Sequence, residues 1–398
     1  MRYSPALTVL ALVALSPDAR SQDTEAAQEK WRALFDGQTL EGWTQRGGKA
    51  RYVVDDGSIV GTTVPNTPNS FLCTDRVYGD FELELEFMVD DELNSGVQIR
   101  SAARKNGRVF GYQVEIDPSA RAWSAGIYDE ARRGWLNPLA KDSAAREAFK
   151  HNDWNHYRIV CVGDWLRTWI NGVPAADLRD PMTSEGFIAL QVHGVGKRKD
   201  PLQVRWRNIR IHELGAHRWQ PIFDGESLQG WHTLDGGTWQ VEGGIIHGSN
   251  TADDKRHGIL LTDKRYRDFT ARIVYRAVTG NSGFYFRCDK VPGAVGVHGF
   301  QAEIDAAENA GMLYETGGRA RVAIPDAKLV KKAFKPGKWN EMVVSAHGGR
   351  IAVHVNGHRM SELHDDPGRA EGHLGIQLHG GQDMKIQVRR VELLTPAQ

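Results

Sequence analysis

The 398-residue sequence lacks a surplus of either charge: Lys plus Arg and Asp plus Glu are 50 each. No global field therefore draws it to nucleic acid or an anionic membrane, and a small uncharged ligand is the natural partner. Cysteine is scarce and odd in number. Of Cys73, Cys161 and Cys288, only the first two fall in the same half of the chain, which excludes a disulfide framework repeated along it. Buried thiols are expected, with a Cys73 to Cys161 bond as the alternative. There is no HExxH, no paired Cys ligands, no phosphate-cradling glycine loop and no GxSxG, so metalloprotease, nucleotide-binding and serine-hydrolase readings have no anchor. No apolar run is long enough to cross a bilayer, and no membrane span is expected. Helical periodicity is almost missing as well, confined to short connectors at 143–150 and 327–334.

Residues 1–21 have the pattern of an export signal. Arg2 gives the positive start, 6–15 the short apolar core, and Ala19-Arg20-Ser21 a small-x-small site before Gln22. The expected location is periplasmic or extracellular.

A chain of this length exceeds what one hydrophobic core usually serves, and it repeats itself. Leu34-Phe35-Asp36-Gly37 with Gly42-Trp43 returns as Ile222-Phe223-Asp224-Gly225 with Gly230-Trp231. Asn94-Ser95-Gly96 matches Asn281-Ser282-Gly283, Trp154-Asn155 matches Trp339-Asn340, and Gln191-Val192-His193 matches Gln377-Leu378-His379. Units of about 185 residues are too long for a solenoid repeat, so a tandem domain duplication is expected, with domains at 30–214 and 219–396.

Each copy is written in strands. Segment 154–162, a Gly163-Asp164 turn and 165–170 read as a hairpin that Asn171-Gly172 closes, because Asn-Gly readily takes the positive φ angles of such turns. Segments 339–346 and 350–355 repeat it. Short alternating strands with glycine-rich turns predict an all-β chain of two antiparallel β-sandwiches.

The chemistry concentrates on one strand per copy. In an extended chain, successive side chains point to opposite faces. Gly111-Tyr112-Gln113-Val114-Glu115-Ile116-Asp117 thus sets Tyr112, Val114 and Ile116 against Gln113, Glu115 and Asp117. Gly299-Phe300-Gln301-Ala302-Glu303-Ile304-Asp305 keeps the same parity. By the same count Gln98, Arg100, Gln191 and His193 join the first polar face, and Tyr285, Arg287, Gln377 and His379 the second. A solvated sheet face would also alternate, but it does not require an Arg, two carboxylates and a His in both halves.

Glu115 and Asp117 stand about 7 Å apart along the strand. That spacing suits an acid and a base flanking a sugar, near the range of inverting glycosidases, and it equally suits a divalent cation such as calcium. His193 and His379 are proton carriers or ligands in either scheme. Tyr128 and Tyr314 are candidate donors to a substrate oxygen. Gln113, Gln191, Arg133 and Trp135 in the first copy, with Gln301, Gln377, Glu315 and Arg319 in the second, complete the candidate substrate contacts.

Taken together these motifs, with Gly126-Ile127-Tyr128 and the closing Arg207-Asn208-Ile209-Arg210-Ile211, resemble the bacterial 3-keto-disaccharide hydrolase family over 33–213 and 221–394. The resemblance implies a concanavalin A-like jelly roll in each half. It implies action on glycosides whose C3 hydroxyl has been oxidised to a ketone: a base removes the acidified C2 proton, the C1 substituent is eliminated, and water adds. An upstream sugar 3-dehydrogenase would be a functional partner. A non-catalytic, lectin-like carbohydrate-binding protein is the alternative on the same fold. The second domain is expected to be the working one, because Glu303, Asp305, Tyr314 and Glu315 gather carboxylates and a phenol around Arg287.

Overall fold

The computed structural model describes residues 31–305 and 309–397, so the expected export signal lies outside the described residues. The alternation read from the sequence becomes burial directly. In Asp80–Val89 the side chains of Phe81, Leu83, Leu85, Phe87 and Val89 are buried, while Glu82, Glu84, Glu86 and Met88 are only partly covered. One face of this strand packs and the other is wetted.

The first domain is a sandwich of two antiparallel sheets. One runs Val173–Arg179, Trp165–Ile170, Asn155–Val162, Asp80–Val89, Gln203–Gly215, Ser58–Thr62 and Arg51–Asp55. The facing sheet runs Gly134–Asn137, Ile127–Glu130, Val109–Ile116, Ser95–Ala103, Phe187–Val192, Ser70–Thr74 and Trp43–Gly47. The second domain repeats this order, with Val297–Ile304 in the place of Val109–Ile116. Each sandwich has its own apolar core. The chain is thus two tandem concanavalin A-like jelly-roll domains. Both short connectors are present, as a single 3-10 turn at Ala144–Arg146 and a helix at Ala327–Ala333, whose Asp326 side chain caps the backbone N–H groups of Lys328 and Leu329.

The Asn-Gly turns also act as braces. Asn171 and Gly172 take φ of 49° and 80°, as a tight hairpin turn requires. The Asn171 side chain then accepts from His156 N at 2.8 Å and donates to Ala148 O at 2.6 Å. Asn356 does the same work on Glu341 N and Ala333 O. Cys73, Cys161 and Cys288 are buried, unpaired thiols, so the alternative disulfide is absent, and burial pushes each up to about 12.

Strand parity fails at Arg100 and Arg287, and it fails identically. Both sit in the left-handed region, at φ 45° and 46°, where the register with the neighbouring strand slips. This bulge turns the side chain away from the polar face and across to the opposite sheet. Arg100 is wholly buried, donating from Nε to Gly79 O at 2.8 Å and from Nη2 to Asp80 Oδ1 at 2.8 Å, and also to Gly163 O. Arg287 bonds Arg267 O and Gly348 O. Neither arginine belongs to a polar cleft, contrary to the sequence expectation.

The two sandwiches meet along a polar seam. Gln203–Gly215 closes the first and His217–Pro221 opens the second by pairing with Met384–Pro396. Across the seam Arg133 Nη1 donates to Gly357 O at 2.6 Å, Arg350 Nη2 to Asp177 O at 3.0 Å, and Thr270 Oγ1 to Asp164 Oδ2 at 3.0 Å. Asp164 and Asp180 are buried there. Burial works against their charge, but Arg179 beside one and Arg133 beside the other hold both carboxyls below the usual range.

Asp80→Asn leaves the buried Arg100 guanidinium without its counter-charge, and should destabilise the chain by about 3 kcal/mol in urea unfolding. An unchanged unfolding midpoint would show that the buried pair does not hold the two sheets together.

Candidate functional site

The outer face of the sheet containing Val109–Ile116 forms the floor of a cleft of about 620 Å³. Gln113, Glu115 and Asp117 rise from this strand and the residue after it, Gln191 from the strand two places away, and Tyr128 and Trp135 from the far side. Asn94, Arg121 and His193 enter from loops. Gly96 lies between Gln191 and Glu115 in the same row. A Cβ on Gly96 would come within 2.6 Å of the Gln113 side chain, so only glycine leaves the space into which Gln113 folds.

That packing sets up a directed hydrogen-bond chain. Ser101 Oγ donates to Gln98 Oε1 at 2.8 Å, Gln98 Nε2 to Gln113 Oε1 at 2.6 Å, and Gln113 Nε2 to Glu115 Oε2 at 2.7 Å. The other Glu115 oxygen accepts from Asn94 Nδ2 at 2.7 Å and Arg121 Nη2 at 3.1 Å. Behind the strand, Tyr157 reaches from the opposite sheet to donate its hydroxyl to Glu115 O and to accept from Ala125 N at 2.8 Å. Even so, burial dominates: it pushes Glu115 up to about 7 against the lowering effect of Asn94, Gln113 and Arg121.

Asp117 behaves oppositely. Burial raises it, but the bonds from Arg121 Nε at 2.8 Å, Ser119 Oγ at 2.6 Å and Trp123 N at 3.1 Å outweigh this and hold it below the usual carboxylate range. Two carboxyls on one strand are thereby driven apart, one fixed as an anion and one poised to exchange a proton near neutrality. Arg121 bridges both and lies 4.9 Å from the ring centres of Trp123 and of Trp135. A guanidinium therefore fills the space that an inverting glycosidase keeps for water. Among the described residues no group of three or more His, Cys, Asp or Glu is arranged to hold a metal ion.

Gln191 is the anomaly of the cleft. It is 0% exposed, it lines the cavity, and neither its amide nitrogen nor its amide oxygen has a hydrogen-bond partner among the described residues. A buried amide left so costs about 1–3 kcal/mol per unmet group, a penalty that a ligand with hydroxyl or carbonyl oxygens relieves.

The second cleft is smaller, about 380 Å³, and differently wired. Glu303 is again pushed up to about 7, mainly by burial, and accepts from Asn281 Nδ2 at 2.6 Å and Gln301 Nε2 at 2.8 Å. Gln377, the counterpart of Gln191, is satisfied: its Nε2 lies 3.0 Å from His257 Nδ1 and its Oε1 accepts from Gln301 Nε2 at 3.3 Å. Where Arg121 grips Asp117, Asn309 donates to Asp305 Oδ2 at 2.9 Å.

Of the residues expected in the first cleft, Gln113, Glu115, Asp117, Tyr128, Trp135, Gln191 and His193 line it. Arg133 does not: it is turned to Asp129, Asp180 and the domain seam. In the second copy Gln301, Glu303, Tyr314, Gln377 and His379 line the cleft. Glu315 and Arg319 lie outside it, because Arg319 pairs with Glu315 and, at 2.8 Å, with Asp366. Asp305 is held by Asn309 beside the lining. The gathering of carboxylates around Arg287 is thus not formed. Sequence reasoning missed Arg121, Trp123 and His257. Arg121 has a local signal, four residues after Asp117 and two before a tryptophan, but no repeat partner to mark it.

Comparison with known proteins adds the family. The sequence model described as a 3-keto-alpha-glucoside-1,2-lyase-like domain matches residues 30–212 and again 218–394. No curated protein matches the chain. Among solved structures, a Parabacteroides distasonis protein named provisionally as a glycosyl hydrolase is 16% identical over 50% of this chain and 98% of its own, with a TM-score of 0.36. A carbohydrate-binding module from Bacillus subtilis is 20% identical over 42% and 96%, at 0.34. A Bacillus subtilis protein of unknown function with a galectin-like fold is 13% identical over 46% and 98%, at 0.39.

A carboxyl whose folded pKa exceeds its unfolded value favours the fold only while protonated. Its contribution is whole below about 4.5 and is lost as pH rises through about 7. Relative to the parent, Glu115→Gln should therefore gain stability over that interval in urea unfolding; a difference that does not change with pH would show Glu115 to be an ordinary carboxylate.

Proposed function

The chain belongs to the 3-keto-alpha-glucoside-1,2-lyase-like domain family through both of its halves, and from that premise we propose that it is an exported enzyme that cleaves 3-keto-glycosides in the cleft of its first domain. The observation that carries this reading is Gln191: a wholly buried amide with no partner among the described residues, lining the cleft that also holds a carboxyl poised near pH 7. Two strand spacings, about 10 Å, separate the backbones of Gln191 and Glu115, with Gly96 and the Gln113 side chain folded over it between them. A sugar ring lies above that amide.

In this scheme the ring lies beside Trp135, as aromatic faces and edges hold sugars. Gln191 Nε2 and the Tyr128 hydroxyl, which has no partner among the described residues, donate to the C3 ketone oxygen and stabilise the charge that develops there. Ionised Glu115 takes the C2 proton and the C–H electron pair forms the enolate. The enolate collapses back to the ketone as a C1–C2 double bond forms and the C1–O bond breaks, and the departing oxygen takes a proton from Glu115. Water then adds across the double bond, its oxygen to C1 and a proton to C2. Asp117 stays anionic and keeps Arg121 in place. The substrate's ketone calls for a preceding oxidation of the C3 hydroxyl by a sugar dehydrogenase.

This assigns the work to the first domain and not, as the sequence suggested, to the second. Arg287, Glu315 and Arg319 are engaged elsewhere, and Gln377 already has its hydrogen bonds. The second cleft retains a satisfied polar floor and a His257 and His379 pair at 4.3 Å between ring centres, a surface suited to holding a sugar.

The test is sugar release from a 3-keto-disaccharide and from the unoxidised disaccharide. Release is expected only from the former, with kcat/KM rising through pH about 7. Glu115→Gln should lower it by about 10²–10⁴-fold, the usual worth of a positioned base, while Glu303→Gln stays active. Gln191→Leu should lower kcat as well as kcat/KM, because it removes a donor to the developing charge. A dead Glu303→Gln beside an active Glu115→Gln would invert the assignment, and binding of both sugars without release from either would make the protein a lectin.

A further inference from the structure

A second cavity, of about 250 Å³, lies on the seam and takes walls from both domains. Arg133 and Asp180 come from the first, Lys332, His354, His358 and Arg359 from the second. Trp135 lines this cavity as well as the cleft, so one indole separates the two.

His354 makes this more than a gap between surfaces. Its neighbours Val353 and Val355 pack into the core of the second sandwich, so strand alternation turns His354 outward toward the first domain. There it is 1% exposed, and neither ring nitrogen has a hydrogen-bond partner among the described residues. Asp180 is not that partner: its Oδ2 lies 3.8 Å from Nε2, and its oxygens are taken by Arg133, Tyr112 and Met182 N. An imidazole in this state is left for something the cavity receives.

The charges say what that is. Lys332 has no ionic partner among the described residues, and Arg359 pairs through Nη1 with Glu362, outside the cavity. Arg133 neutralises Asp180. The surplus is positive, and after burial itself it is this field that adds to holding His358 low, through Lys332 and Arg133. A cation would be repelled, and a neutral guest would leave the field uncompensated.

We propose that this interdomain cavity binds a small oxyanion, with Lys332 as the point charge, His354 as a buried donor, and His358 and Arg359 at the margin. Phosphate and the carboxylate of a sugar acid share the required chemistry: tetrahedral or planar oxygens that accept several N–H donors at once. Since the walls come from both halves, the bound anion also ties the sandwiches together, and it lies against the back of Trp135.

Calorimetric titration of the full chain at low salt, with inorganic phosphate, glucuronate and glucose separately, tests this. At least one anion should bind and glucose should not bind in competition with it. Lys332→Met, a change at an exposed helix position, should weaken anion binding by about tenfold or more, the scale of one lost charged hydrogen bond, and His354→Gln should do likewise. Lys385→Met, which removes the same charge from the second domain away from the cavity, should have no such effect. Phosphate alone binding identifies free phosphate as the ligand, and glucuronate alone a sugar acid. Failure of both anions to bind, or equal losses in Lys332→Met and Lys385→Met, overturns the proposal. If His354→Gln does not fold, the comparison of the two lysine variants decides.

Discussion

The first domain is arranged around the cost of keeping one carboxylate, Glu115, nearly out of water. Two amide donors and a guanidinium serve it, a tyrosine behind the strand holds its backbone carbonyl, and still burial prevails and leaves its titration near neutrality. A stronger set of partners would have fixed it as an anion, which is what happened to Asp117 two residues on. The difference between the two is how many donors reach each and how much of each is dry. The proton affinity of Glu115 is set by the incompleteness of compensation.

The second domain keeps the carboxyl but not its setting. Met342 stands in the place of Tyr157 on the strand behind, so the brace on the backbone is gone. The row that leaves Gln191 unpartnered in the first copy is closed in the second by His257 and Tyr285, both hydrogen-bonded to Gln377. The second cleft thus keeps its most conspicuous residue while the groups around it are satisfied.

Much of this was legible in the chain. The duplication, the hairpins closed by Asn-Gly and the polar face of 113, 115 and 117 follow from local rules of turn chemistry and strand parity. The same parity misled at Arg100 and Arg287, because a bulge reverses facing and nothing in one residue's identity announces a positive φ there. Arg133 and Arg319 were read as sugar contacts, since a free arginine and one committed to an aspartate look alike in sequence. Arg121 was missed for the converse reason: repetition was the filter, and it exists in one copy only. Gln191 was found, but that it lacks partners is a property of its surroundings alone.

The arginine that crosses the seam to the carbonyl of Gly357 changes what the duplication means. That carbonyl belongs to the Asn-Gly turn of the second copy, a turn whose counterpart at Asn171-Gly172 has no such visitor among the described residues. An edge that a solitary ancestor would have shown to water has become a socket for its own duplicate, and Thr270 has likewise become a donor to a buried aspartate of the other half. Each copy is thereby entrenched by the other. Neither can drift freely at its seam or be discarded, so the fused pair, and no longer the single sandwich, is the unit on which substitutions are accepted or refused.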